Sequence, residues 1–320
     1  MRRILATVAV FGLVLAACGK STTTAQGSTG TFGTTGPTGP TGATASPTAA
    51  TAADCAQTAT FVSSGVLTVG TDNPAYPPWF SGGSAKGSMW KVDDPNNGKG
   101  LESAVTYEVA KRMGFSQDQV NWVVAPFNQT YAPGPKSYDF AIEQISYTAK
   151  RAQAVDFSDS YYDVNQALVA IKGTPVTKAT SIDDLKDFTL AAPIGTTAYT
   201  YITDVIQPNK EPGAYTTLSD TVAALNAHQV DAMVVDLPTA LYIADPYVQE
   251  VKNSVVVGQF PNPAGGTTDH VAMAFQKGSD LVPCVNLALA EMKSDGTLEK
   301  LQTEWLSQKT NVGDVPVFEQ

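Results

Sequence analysis

Tyr138-Asp139-Phe140-Ala141-Ile142-Glu143-Gln144-Ile145-Ser146-Tyr147-Thr148-Ala149-Lys150-Arg151, running on to Val155-Asp156-Phe157-Ser158-Asp159-Ser160-Tyr161-Tyr162, is the stretch on which the fold turns. Residues 138–142 read as a strand, and the polar Gln144 and Ser146 fall just beyond its C-terminal edge. Upstream, residues 66–70 are β-branched and apolar and end in Thr71-Asp72. Leu101, Val105, Val109 and Met113 then recur every four residues, with Glu102 in the first turn, Lys111 and Arg112 in the last, and Gly114 after them, which predicts a helix charged in the favourable sense. Downstream, strands are predicted at 167–171, 188–192, 230–235, 255–258 and 271–275, and helices over 219–227 from a Ser219 cap, over 282–293, and over 298–306 from a Thr297 cap. Strands alternating with helices give an α/β class. Ligands of open α/β sheets gather beyond the carboxyl ends of strands. Asp72, Gln144 with Ser146, Gly195-Thr196-Thr197 and Asp236 all fall at such ends.

Composition narrows the function. The 320 residues carry 20 basic and 30 acidic side chains, a net charge of -10 and a pI near 4.6, so no basic face is available to neutralise phosphates and nucleic acid is not an expected partner. Two histidines, His228 and His270, without an HExxH pair or paired CxxC motifs, are too few ligands for a transition-metal site, and no cofactor is expected. The length suffices for two globular lobes. Charged residues make up only 16%, below the roughly 25% usual in globular domains, so part of the chain is expected not to be globular.

That part is the N-terminus. Arg2 and Arg3 precede an apolar run over residues 4–17, the layout of an export signal and too short to span a bilayer. The run ends Leu15-Ala16-Ala17-Cys18, which resembles a bacterial lipoprotein signal, and the resemblance implies cleavage before Cys18 and its lipidation. Residues 19–53 are almost wholly Ser, Thr, Gly, Ala and Pro, with Lys20 the one charge and Phe32 the one aromatic residue, and are predicted to form a disordered tether with a reach of roughly 30 Å. Cys55 and Cys284 remain. In an exported chain the pair suggests a disulfide, two buried thiols being the alternative.

The opening stretch resembles the signature of the family 3 extracellular solute-binding proteins, the amino-acid receptors of ABC importers. Matches in order support it: Val69-Gly70-Thr71-Asp72 with Pro78-Trp79, residues 100–114, Ile194-Gly195-Thr196-Thr197, Val230-Asp231-Ala232 with Asp236, and Ser294-Asp295-Gly296-Thr297-Leu298. The resemblance spans about residues 65–307 and implies a two-lobe, type II periplasmic-binding-protein fold with two hinge strands, near 167–173 and 255–260. The expected division is a signal peptide over 1–17, the tether over 18–54, lobe I over 55–170, lobe II over 171–256, and lobe I again over 257–320.

The same resemblance carries residues into roles. Arg151 stands where the family grips the ligand's carboxylate, and its planar fork suits two oxygens better than a lysine's point charge. Thr196 and Thr197, opening a helix after a glycine turn, are expected to complete that shell. Asp236 stands where the family receives the ammonium, and Ser146 where it places a hydroxyl. Asp72, Tyr76, Trp79 and Phe127 fall where side-chain pockets are lined, although the run from Asp72 to Pro78 is one residue longer than the commonest spacing. Glu143 and Gln144 replace small hydroxyl residues, which favours a ligand with a polar or cationic side chain. The roles of Glu102, Glu143 and His270 stay open. A monomeric, lipid-anchored receptor on the outer face of the cell membrane, handing an amino acid to an ABC permease, is the function implied, with no catalytic residues. An amino-acid sensor with the same lobes is the alternative, and an exported dehydratase-like enzyme, with Glu143 as its acid, a more remote one.

Overall fold

The computed structural model describes residues 51–248, 250–261, 269–307 and 315–320. The expected signal peptide, Cys18 and all but the end of the expected tether lie outside these residues. Structure begins earlier than residue 55. Thr51 caps helix α1 (Ala52–Ala56), accepting from the Asp54 N–H at 3.1 Å while its own N–H donates to Asp54 Oδ2 at 3.2 Å, a reciprocal capping box that a reading by composition passes over. Cys55 in this helix is joined to Cys284, which ties the start of the folded part to its C-terminal helices.

Two five-stranded sheets form the two lobes. In the first, β1 (Leu67–Thr71) lies parallel between β2 (Val120–Val124) and β3 (Phe140–Ala141), and β12 (Ala274–Gln276) runs antiparallel between β3 and β4 (Val155–Phe157). One face of this sheet is covered by α2 (Leu101–Arg112), α7 (Val282–Ser294) and α8 (Thr297–Gln302), whose Val105, Val109, Leu289 and Leu298 join the core of Val69 and Phe140. Short α3 (Phe127–Thr130) follows β2 at the sheet's edge. The apolar period of four that marked α2 is thus spent on this packing. Gly100 at its start is obligatory: with φ +91°, a Cβ there would lie 2.4 Å from the Phe80 Cα and the Trp79 carbonyl oxygen.

The second sheet has the order β10 (Ser254–Gln259), β6 (Gln166–Ile171), β9 (Ala232–Asp236), β7 (Leu190–Pro193) and β8 (Gly213–Tyr215). α4 (Thr197–Tyr201) contributes to the core on one face, α5 (Leu218–Asn226) and α6 (Leu237–Ile243) to that on the other. A two-stranded ribbon of β5 (Tyr162–Asp163) and β11 (His270–Val271) stands beside the crossing.

Several boundaries differ from expectation. The strands expected as hinges, β6 and β10, pair with each other inside the second sheet over Ile171 to Ala167, so the crossing lies before Gln166 and after Gln259 rather than at 170/171 and 256/257. The C-terminal segment belongs with the second lobe. Val317 bridges Gln259, Glu319 bridges Ser181, and Phe318 stacks on Phe260 with ring centroids 5.0 Å apart. The strand expected over 271–275 is two short strands, and the helix expected to run to 306 passes into a wider π-type turn over Thr303–Ser307. Thr217, not Ser219, caps α5, because its hydroxyl accepts from the Asp220 N–H at 3.1 Å. Gly296, not Thr297, precedes α8.

Candidate functional site

Between the lobes lies a cavity of about 210 Å³. Asp72, Tyr76, Phe127, Glu143, Gln144, Ser146 and Arg151 face it from the first lobe, and Thr196, Thr197 and Asp236 from the second. Of the expected site residues only Trp79 is absent from its wall. Its indole is 1% exposed in the first lobe's core, edge-on to Tyr162, and donates to the Thr239 hydroxyl of the other lobe at 3.0 Å. Phe80, next in sequence, lines the cavity instead. His228 is exposed at φ +55°, and His270 stacks on Tyr147, outside the wall.

Arg151 is 7% exposed. Its Nη1 donates to the Ser146 carbonyl at 2.7 Å and its Nη2 to the Gly195 carbonyl of the other lobe at 2.8 Å, while its guanidinium carbon stands 4.2 Å from the centre of the Tyr131 ring. Burial lowers its pKa from the usual value, and Tyr131 and Asp269 oppose that. Among the described residues no carboxylate lies within ion-pair distance of it. A buried cation whose hydrogen bonds go only to neutral carbonyls remains short of counter-charge. Gly195 permits this approach. A Cβ on it would come within 2.7 Å of the Tyr131 hydroxyl, which itself donates to the Gly195 carbonyl at 3.2 Å.

The threonines divide their work. Thr196 Oγ1 donates to the Pro193 carbonyl at 2.7 Å and accepts from the Tyr199 N–H at 3.1 Å, so its hydroxyl is committed to the cap of α4. Thr197 Oγ1 is the one turned toward the other lobe, 3.2 Å from Ser146 Oγ, with Gln166 Nε2 donating to it at 3.3 Å. Asp236 ends β9 and caps α6, accepting from the Thr239 N–H at 2.9 Å. Burial raises its pKa, and the hydrogen bonding from Thr239 opposes that.

Two acids whose roles the sequence left open are buried. Glu102, in the first turn of α2, is 0% exposed. It accepts from the Gln144 N–H at 2.6 Å, from Gln144 Nε2 at 2.5 Å and from the Tyr161 hydroxyl, and so pins Gln144 at φ +53°, a left-handed conformation costly for a residue with a side chain. Burial pushes the Glu102 pKa up to about 7 against these bonds. Glu143 is 4% exposed. Tyr131, Ser219 and Glu102 were not separable by sequence from ordinary helix and loop residues. Ser219 faces the cavity and meets the Tyr76 hydroxyl across the lobes at 2.5 Å.

The chain matches the bacterial extracellular solute-binding proteins, family 3, over residues 67–308. It is a family 3 solute-binding protein. Among its relatives, the arginine-binding extracellular protein ArtP of Bacillus subtilis is 27% identical over 240 residues, covering 71% of this chain and 85% of ArtP, and the lysine/arginine/ornithine-binding periplasmic protein of Escherichia coli is 26% identical over 244 residues, 75% of this chain and 86% of the relative. An ancestral arginine-binding protein solved with bound glutamine superposes with a TM-score of 0.60 at 26% identity, covering 75% of this solute-binding protein and 97% of the ancestral chain. The two-lobe architecture is the type II periplasmic-binding-protein fold.

Proposed function

We propose that this solute-binding protein is a lipid-anchored receptor outside the cytoplasm that encloses one free amino acid, with a polar or cationic side chain favoured, and hands it to an ABC importer. The observation that carries the reading is the pairing of Arg151, buried and without a carboxylate partner among the described residues, with Asp236 on the opposite wall of the same cavity. Taking a zwitterion out of water costs several kcal/mol per charge unless each end is paired and hydrogen-bonded. Arg151 takes the carboxylate with Thr197 and Ser146 beside it, and Asp236 takes the ammonium.

Because the partners come from different lobes, only the closed arrangement satisfies both ends, and the ligand stabilises closure by that difference. Direct bonds from Arg151 and Tyr131 to the Gly195 carbonyl, and between Tyr76 and Ser219, join the lobes at the cavity's margin. Lipidation of Cys18 would hold the receptor at the outer membrane face through the tether, and a Cys18→Ala variant is expected in the soluble fraction. Calorimetric titration with the twenty amino acids tests the reading. Binding of at least one, lost in Arg151→Ala, supports it, and unchanged affinity in that variant refutes the carboxylate grip.

A further inference from the structure

Residues 315–320 lie beyond the stretch that matches the family, and none of them lines the cavity. The chain leaves the first lobe after Leu306, 1% exposed within that lobe's core, and returns on the second lobe at Val315. It is a third passage between the lobes, beside the two crossing strands. The strap is fastened where the other two pass. The Gln259 N–H donates to the Pro316 carbonyl at 2.8 Å, and the Gln259 carbonyl accepts from the Phe318 N–H at 3.0 Å. The Gln259 side chain ties all three passages together: its Nε2 donates to the Val315 carbonyl at 2.9 Å, and its Oε1 accepts from Asn165 Nδ2 at 2.9 Å, just before β6. Beyond Phe318, the Glu319 N–H donates to the Thr180 carbonyl and the Glu319 carbonyl accepts from the Ile182 N–H, both at 2.9 Å.

The strap's aromatic side chain is built into the second lobe. Phe318 is 4% exposed and stacks on Phe260, whose ring centroid lies 4.8 Å from that of Tyr201 in α4. The Phe260 N–H donates to the Gln166 carbonyl at 2.8 Å, so this ring stands at the root of both crossings. Gly258 makes the room, since a Cβ there would lie 2.8 Å from Phe318 Cε2. A glycine inside a strand, placed under the ring of a segment from the other lobe, marks a fitted contact.

Resting on the receptor reading above, we propose that residues 315–320 are a clasp on the hinge, with Phe318 and Gln259 as positioning residues, and that the clasp favours the closed arrangement and so sets the affinity for the amino acid without touching it. Opening turns the backbone over a few residues at the crossings. Asn165 and Gln259 hold the crossings together there, and the strap holds Gln259 from its other side. These bonds are made in the same arrangement as the bonds between lobes from Arg151 and Tyr131 to Gly195 and from Trp79 to Thr239, so opening must shear them or drag the strap along. The column Phe318-Phe260-Tyr201 carries the restraint into α4, whose first residue Thr197 meets Ser146 across the cleft at 3.2 Å. Apparent affinity scales with the fraction of the protein in the competent arrangement, and loss of the clasp lowers that fraction.

The experiment combines small-angle scattering of the ligand-free protein with calorimetry and stopped-flow kinetics, using the twenty amino acids as probes. Deletion of residues 315–320 and Phe318→Ala are each expected to enlarge the ligand-free particle and to weaken binding about tenfold, mostly through faster dissociation. Gly258→Ala displaces the ring from below and should match Phe318→Ala. Phe318→Leu keeps an apolar contact with Phe260 and should stay within about threefold of wild type. If the deletion and Phe318→Ala do not fold, Gln259→Met decides by the same readouts, because it leaves Phe318 seated and cuts only the side-chain link between Asn165 and Val315. It should weaken binding about threefold. A lowered melting temperature with scattering and affinity unchanged would make the strap a stabilising edge and overturn the clasp. A more compact ligand-free particle or tighter binding after deletion would overturn it as well. Failure of the wild type to bind any amino acid overturns the receptor reading and the affinity claim with it, while the ligand-free scattering still decides whether the strap holds the lobes closed.

Discussion

The buried arginine and the buried acids of the cavity wall solve opposite problems. At one end a guanidinium is surrounded by acceptors and aromatic faces, the Ser146 and Gly195 carbonyls and the Tyr131 ring. Elsewhere on the same wall Glu143 lies among Asp72, Glu102 and the phenols of Tyr131 and Tyr138 with no bonded donor, while Asp72 accepts from the Asn73 N–H at 2.7 Å. The difference follows from what each group can do when buried. A guanidinium cannot shed its proton, so the fold must supply acceptors before any ligand arrives. A carboxyl can take up a proton and become neutral, so the fold can leave it without a partner. The arginine site is built in advance, whereas a buried acid that can become neutral needs no fixed counter-charge.

Breaking the preformed end should have the largest effect. Arg151→Ala is expected to weaken amino-acid binding by about 4 kcal/mol, near 1,000-fold, because the guest's carboxylate is then buried without its cation, and calorimetry measures it directly. Arg151→Lys should restore only part, since an ammonium cannot bridge Ser146, Gly195 and two ligand oxygens at once.

Glu102 tests whether the acid side answers to pH. Its folded pKa of about 7 lies above the ordinary 4.5, so the protonated form is favoured by folding. Its contribution to stability is complete below the unfolded value and is lost as pH rises through about 7. Urea midpoints at pH 5 and pH 8 should show the loss, on the order of 3 kcal/mol for this group, and Glu102→Gln should flatten it. A flat wild-type profile that the substitution leaves unaltered would mean that Glu102 stays ionised throughout.

Asp236→Asn sharpens the contrast between charge and cap. Asn can still accept from the Thr239 N–H, so thermal stability should stay within about 0.5 kcal/mol while affinity falls by about 2 to 3 kcal/mol. If stability and affinity fell together, the cap would be the residue's main work. The smallest effect is expected at the margin. Tyr76→Phe removes one bond between the lobes, to Ser219, and should lower affinity by about 1 kcal/mol, with Ser219→Ala equal to it and the double variant no worse.

The placement of functional side chains was more legible than the placement of boundaries. Asp72, Ser146, Thr197 and Asp236 were marked by their positions at strand ends and Arg151 by the family resemblance, and the fold does gather them around one cavity. Trp79 was not, because an aromatic residue after a proline turn is equally suited to a pocket wall and to a core, and here the Thr239 hydroxyl of the other lobe claimed its N–H. Glu102 carries the mark of a first-turn acid, which usually faces water, and only the packing of α2 against the loop after β3 turned it inward onto Gln144. The crossing between lobes was misplaced by several residues because β-propensity is the same whichever sheet a strand joins.

By itself the sequence determined the alternation of strands and helices, the polar residues at strand ends, the export-type N-terminus and the supply of exactly one arginine among the expected contacts, since these depend on local period and residue chemistry. The tertiary structure alone decided that Arg151 is held by a carbonyl from each lobe, that the C-terminal segment returns to the second lobe, and that two acids share one wall with scarcely any counter-charge. Those are relations between residues far apart in the chain, and their energies depend on burial and on which neighbours arrive, neither of which a local pattern carries.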